Sequence, residues 1–141
     1  MEFDPNNPVI KLCAQGMELE GQGNTGEANS VFLKAWEISK TDQEKFTSAH
    51  YVARHQKSAE EKLHWDKTAL SFALKMDEEG IHKVLPSLYL NIGKCFEDLD
   101  NAEEARTNYE LALSFSSSLP EDGYGRMILN GINAGISRIS E

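Results

Sequence analysis

Apolar positions along this chain recur at steps of three and four, and strict alternation at period two is almost absent. That pattern predicts an all-α protein. Between 26 and 39, Ala28, Val31, Phe32, Ala35 and Trp36 fall at i, i+3, i+4, i+7 and i+8, one stripe along a helix. Between 102 and 117 the stripe is Ala105, Tyr109, Ala112 and Leu113. Alanines on such faces let a neighbouring backbone come close, and the aromatic fills the space beside it. Start signals are plain. Thr41 with Glu44 and Ser58 with Glu61 have capping-box spacing, Asn101 with Glu104 is a looser version, and Thr25 is placed to cap the helix carrying Ala28. Stops are expected at Gly21–Gly23 and at Gly80. The predicted helices are 8–21, 26–39, 42–56, 59–79, 86–98, 102–117 and 120–139. Short connections between helices of similar length favour antiparallel hairpins.

Two of these hairpins repeat each other. Ala28-x3-Phe32-x2-Ala35 matches Ala105-x3-Tyr109-x2-Ala112, and Gly16 and Gly93 each stand 12 residues before the first alanine. Leu19 and Phe96 follow the glycines by three residues. Glycine, large apolar, alanine, aromatic and alanine at these intervals resemble the tetratricopeptide repeat, a helix–turn–helix unit of about 34 residues. A middle unit stays in phase through Ala69, but puts His50 at the glycine place and Lys62 at an alanine place. Trp65 is positioned to stand in for its missing aromatic, one residue early. The resemblance implies about three repeats, near 9–42, 43–85 and 86–119, in a single domain over 1–141. The segment 120–139 resembles the terminal helix that covers the last repeat of such arrays.

The resemblance also implies a concave groove lined by the first helix of each unit, holding a peptide or a partner protein. The matching positions are Ile10, Cys13, Ala14, Met17 and Glu20 in the first unit. In the second they are Glu44, Thr47, Ser48, Tyr51, Arg54 and His55, and in the third Ser87, Leu90, Asn91, Lys94 and Asp98. The clamp that some members use for C-terminal carboxylates is absent, because Cys13, Met17, Ser87 and Asn91 occupy its places.

Charge sharpens the choice among these positions. The net charge is −9, which excludes general binding to a nucleic-acid backbone. Against that background, the segment from His50 to Lys57 has two cations, two histidines and no acid. Tyr51 shares a helical face with Arg54 and His55. The expected binding residues are therefore Ser48, Tyr51, Arg54, His55, Asn91 and Lys94, taking a partner segment with a carboxylate or phosphate. The competing expectation for Arg54 is an ion pair with an acidic neighbour such as Glu44 or Glu97. A second reading of the chain is a homodimer packed through Ile10, Cys13 and Met17.

Chemistry is thinly represented. His50 and His55 are five apart, off the spacing of a zinc pair, and Cys13 and Cys95 have no second cysteine nearby. Both cysteines read as reduced core thiols. Gly21-Gln22-Gly23 and Gly123-Tyr124-Gly125 do not follow a strand, so no dinucleotide fold is expected. Paired carboxylates such as Glu78/Glu79 and Glu103/Glu104 read as solvated faces. No apolar run reaches the ~20 residues of a membrane span. Met1–Pro5 has neither a basic segment nor an apolar run, so no secretory leader is expected. The expectation is a cytoplasmic, non-enzymatic interaction module with no metal and no cofactor.

Overall fold

The computed structural model describes residues 4–76 and 80–140. Among them are seven α-helices, two single 3-10 turns and no strand. The chain forms two compact units, 1–77 and 78–141.

The first unit holds α1 (Pro8–Gly21), α2 (Thr25–Ile38), α3 (Asp42–Ala53) and α4 (Ala59–Lys75). Asn7 caps α1 by accepting from the backbone of Val9 and Ile10. The Thr41/Glu44 capping box is complete at α3, and Ser58 accepts from the Glu61 amide at α4. Thr25 is not a cap. It lies inside α2, and Asn24 takes the cap position without a side-chain bond. Each helix runs antiparallel to the next. Val9 clusters with Ala35 while Gly16 meets Phe32, and Lys45 lies over Phe72 while Val52 clusters with Trp65.

α3 is shorter than expected. It ends at Ala53, and Arg54, His55 and Gln56 turn back onto the carbonyls of Tyr51, Val52 and Ala53. The Gln56 amide also donates to the Val52 carbonyl at 3.0 Å, satisfying an end that no glycine closes. α4 ends at Lys75, with Met76 already extended; the rest of the expected helix, 77–79 with Glu78/Glu79, lies outside the described residues.

The second unit holds a 3-10 turn at Ile81–Lys83, then α5 (Leu85–Asp98), α6 (Ala102–Ser114), a second turn at Ser116–Ser118, and α7 (Gly123–Ile139). α6 stops three residues early at a serine run, where the Ser114 hydroxyl donates to the Leu111 carbonyl at 2.6 Å. Serine hydroxyls compete for backbone partners in this way and weaken a helix interior. α7 starts three residues late because Asp122 is its cap, accepting from the Gly125 amide at 2.9 Å. Gly125 is required there, since a Cβ would lie 1.8 Å from the Pro120 carbonyl oxygen.

The hairpins α1–α2 and α5–α6 are built alike, down to the turn. The Asn24 amide reaches the Leu19 carbonyl at 2.9 Å, and the Asn101 amide reaches Phe96 at 2.9 Å. The residue before each asparagine is left-handed, Gly23 at φ 82° and Asp100 at φ 60°. A Cβ on Gly16 would lie 2.3 Å from the Phe32 ring, and one on Gly93 would lie 2.7 Å from the Tyr109 ring. Ala28, Ala35, Ala105 and Ala112 are all fully buried. The hairpin α3–α4 departs from this plan. Thirty-four residues on from Gly16 and Phe32 stand His50 and Asp66, and Asp66 is fully buried. Trp65 does not replace the ring there; it packs edge-on against Trp36 of α2, with centroids 5.2 Å apart.

The isoleucines of α7 pack inward. Ile128 and Ile132 cluster with Ala112 of α6, and Tyr89, Leu90, Leu119 and Ile136 lie against them. Tyr109 ties the three helices together. Its ring sits against Gly93 of α5 and Gly135 of α7. Its hydroxyl donates to Glu97 at 2.7 Å, and Arg138 forks onto the same carboxylate at 2.8 and 3.0 Å. The Arg138 hydrogen bonds hold the Glu97 carboxyl below its usual range, and burial first, then Glu97, raises the Tyr109 phenol.

Candidate functional site

The expected binding residues divide between the two units. Ser48, Tyr51, Arg54 and His55 belong to the first, Asn91 and Lys94 to the second.

Ser48 is not available to a ligand. It is fully buried, sits 2.9 Å from the Ser39 hydroxyl and can donate to the Glu44 carbonyl. Its small side chain fits where the end of α2 meets α3, and burial there removes it from the candidate set.

Tyr51, Arg54 and His55 do come together, around two residues of α1. The Tyr51 ring stacks on Phe32 at 5.1 Å, and the His55 ring stacks on Phe32 at 5.8 Å. Gly16 leaves the room that Phe32 occupies beneath them. The Tyr51 hydroxyl points at the Met17 sulfur, 3.1 Å away, and burial raises the Tyr51 phenol above its ordinary value. The Arg54 guanidinium lies over the Tyr51 ring, 5.4 Å from its centre. A cation held against an aromatic face is favourable even when part of it stays wet.

Glu20 is the residue the charge pattern missed. Its carboxylate accepts from His55 Nε2 at 2.6 Å and lies 3.5 Å from Arg54 Nε. Arg54 therefore pairs with an acidic neighbour, as the competing expectation has it, with Glu20 in place of Glu44 or Glu97. Glu44 is occupied by Asn7 and by the backbone of Lys40 and Thr41, which hold its carboxyl below the usual range. Glu97 is occupied by Arg138 and Tyr109. The Arg54 side chain remains 47% exposed against 17% for Glu20. Met17 is also 47% exposed. The face thus presents a thioether, a phenol edge and a guanidinium braced by a largely covered carboxylate.

The other expected groups sit elsewhere. His50 turns inward, and its Nδ1 is buried without a hydrogen-bond partner. Lys94 is exposed on α5 and pairs with Asp98, one turn on. Asn91 is half-buried on the same helix. Cys13 is buried against Val9 and Ala35, so it lends little to a dimer surface. Burial pushes its thiol up to about 11, which disfavours the thiolate a nucleophile needs. Cys95 is buried in α5.

Each unit also has an open cavity lined by other residues. One, of about 490 Å³, is lined by Pro8, Val9, Glu37, Ile38, Lys40 and Glu44. The other, of about 310 Å³, lies where the Ser116–Ser118 turn meets the start of α7. Among the described residues, no three His, Cys, Asp or Glu side chains are grouped to hold a metal ion. No described helix is long and apolar enough to cross a membrane. The chain matches no protein-family model, no curated protein sequence and no solved structure.

Proposed function

We propose that this protein is a non-enzymatic interaction module of tetratricopeptide type, binding a partner's peptide segment through the α1/α3 face of its first unit. The observation that carries the reading is the arrangement around Arg54. Glu20 and Tyr51 hold the guanidinium in place through Nε and the ring face, while nearly half of the side chain stays exposed. A guanidinium fixed this way loses little freedom on binding and takes a carboxylate or phosphate through its outer nitrogens. Met17 and the Tyr51 edge provide apolar contact for the residue beside that anion. The repeat assignment draws support from the matched glycine–ring pairs and matched turns of α1–α2 and α5–α6.

The test is affinity capture with wild type and Arg54→Ala, followed by titration of the recovered binder against both proteins. Loss of one charge-assisted hydrogen bond costs about 1.5–3 kcal/mol. Affinity should therefore fall roughly 10- to 150-fold, with unchanged helical circular dichroism. Binding to wild type should also weaken with added salt, because the face is open to solvent. Equal affinity in the two proteins sinks the assignment of this face.

A further inference from the structure

The α3–α4 hairpin contains polar groups that the binding face does not use. At the two places where the other hairpins put a glycine and a ring, it puts His50 and Asp66. Asp66 is fully buried, and its Oδ2 accepts from Lys62 at 2.8 Å. His50 stacks against Phe46 and meets Tyr51 edge-on, with ring centres 6.3 and 5.7 Å away. Its Nδ1 is buried and makes no hydrogen bond. A neutral imidazole tolerates this, because Nδ1 can be the unprotonated nitrogen. An imidazolium does not, because both nitrogens then carry protons and one would be a buried donor with no partner.

We infer that the α3–α4 hairpin is an acid-sensitive catch: a proton taken up by His50 can be accommodated only by opening the hairpin to water.

The surrounding charges are of both signs. α4 presents Asp66 and Lys62 to His50, and the turn after its own helix presents Arg54. α2 turns Ala28 and Phe32 toward α3, neither of which titrates. From α1, Glu20 is engaged by His55 and Arg54, while Cys13 stays in its own core cluster. Burial is the largest influence on His50 and lowers its pKa from 6.5; the attraction of Asp66 opposes it, and the repulsions of Arg54 and Lys62 add to it. The sign follows. A histidine whose pKa is depressed by folding contributes stability that is present above the unfolded value and is lost as pH falls. Between pH ~7.5 and ~5.5 an unfolded-state value near 6.5 raises the opening equilibrium by at most about tenfold. The carboxylates Glu44 and Glu97, held below 4.5, leave that window undisturbed.

The experiment is amide hydrogen exchange at pH ~7.5 and ~5.5, corrected for intrinsic exchange rates, on wild type and His50→Gln. In wild type the amides of 42–53 and 59–75 should open more at the lower pH, by up to about tenfold, and those of 85–98 should not. In His50→Gln the difference should vanish. An equal pH response in the variant, or none in wild type, overturns the inference. A second measurement covers a variant that fails to fold. In wild type labelled at histidine, the His50 ring should remain neutral at pH values where the histidines of the urea-unfolded chain are already protonated, and titration together with those of the unfolded chain would overturn the inference equally.

Discussion

Replacing Gly135 with alanine would place a methyl carbon 2.5 Å from Cζ of Tyr109 and 2.8 Å from both Cε atoms. The ring has little freedom to yield. It is fully buried, Gly93 of α5 closes its other approach, and its hydroxyl is fixed to Glu97. Overpacking of one methyl costs about 1–3 kcal/mol, and the better helix propensity of alanine returns up to about 1 kcal/mol. If the ring slides to make room, the hydrogen bond to the charged Glu97 is lost, at about 1.5–3 kcal/mol. The net expectation is a destabilisation of about 2 kcal/mol or more. Urea unfolding followed by circular dichroism reads it as a lower midpoint. Tyr109→Phe isolates the cause. With no hydroxyl to hold, the ring can slide, and Gly135→Ala should cost less in that background by about 1 kcal/mol or more. A neutral or stabilising Gly135→Ala, or the same cost in both backgrounds, would refute the account of Tyr109 as a pinned ring.

Two other outcomes follow from local geometry. Asp100 holds a left-handed backbone, φ 60°, where Gly23 serves in the matching turn; Asp100→Gly should raise the unfolding free energy by up to about 1 kcal/mol, the usual strain of a non-glycine residue there, as read by urea titration. Cys13, with its thiol pushed up to about 11, should resist a thiol reagent at pH ~8 in the native protein, where only about one molecule in a thousand carries the thiolate, and should react at once in urea.

The helices were legible because their signals are local. A capping hydroxyl and its N3 partner lie three residues apart, as Thr41 and Glu44 do, and a stripe such as Ala28–Phe32–Ala35 is read along one helix. Errors gathered at ends where a competing bond is also short-range. The Ser114 hydroxyl ends α6, the Gln56 amide closes α3, and Asp122 begins α7 beyond Pro120. The turn shared by α1–α2 and α5–α6 was hidden because its key residue is glycine in one copy and aspartate in the other. Only the backbone shows that the two do the same work.

The candidate face was half legible for a different reason. Tyr51, Arg54 and His55 lie close together in the chain, so their shared side could be read from spacing. Charge could not be read the same way, because what sets the field at a side chain is its spatial neighbour. Glu20 lies 34 positions before Arg54, and the α1/α3 contact brings it within 3.5 Å. The repeat interval could have found it. The same interval that pairs Gly16 with His50 also aligns Glu20 with Arg54 and Phe32 with Asp66. One of these three alignments is also a contact, since Glu20 meets Arg54 directly; Asp66 acts instead on the residue at the glycine place of its own hairpin, His50. A polar residue at a place where sister hairpins hold glycine or a ring must find a partner across the packing contact, because the space there is buried in every copy. Searching the groove positions for acids and bases one interval apart would have paired Glu20 with Arg54, and searching the ring places for polar residues would have marked Asp66.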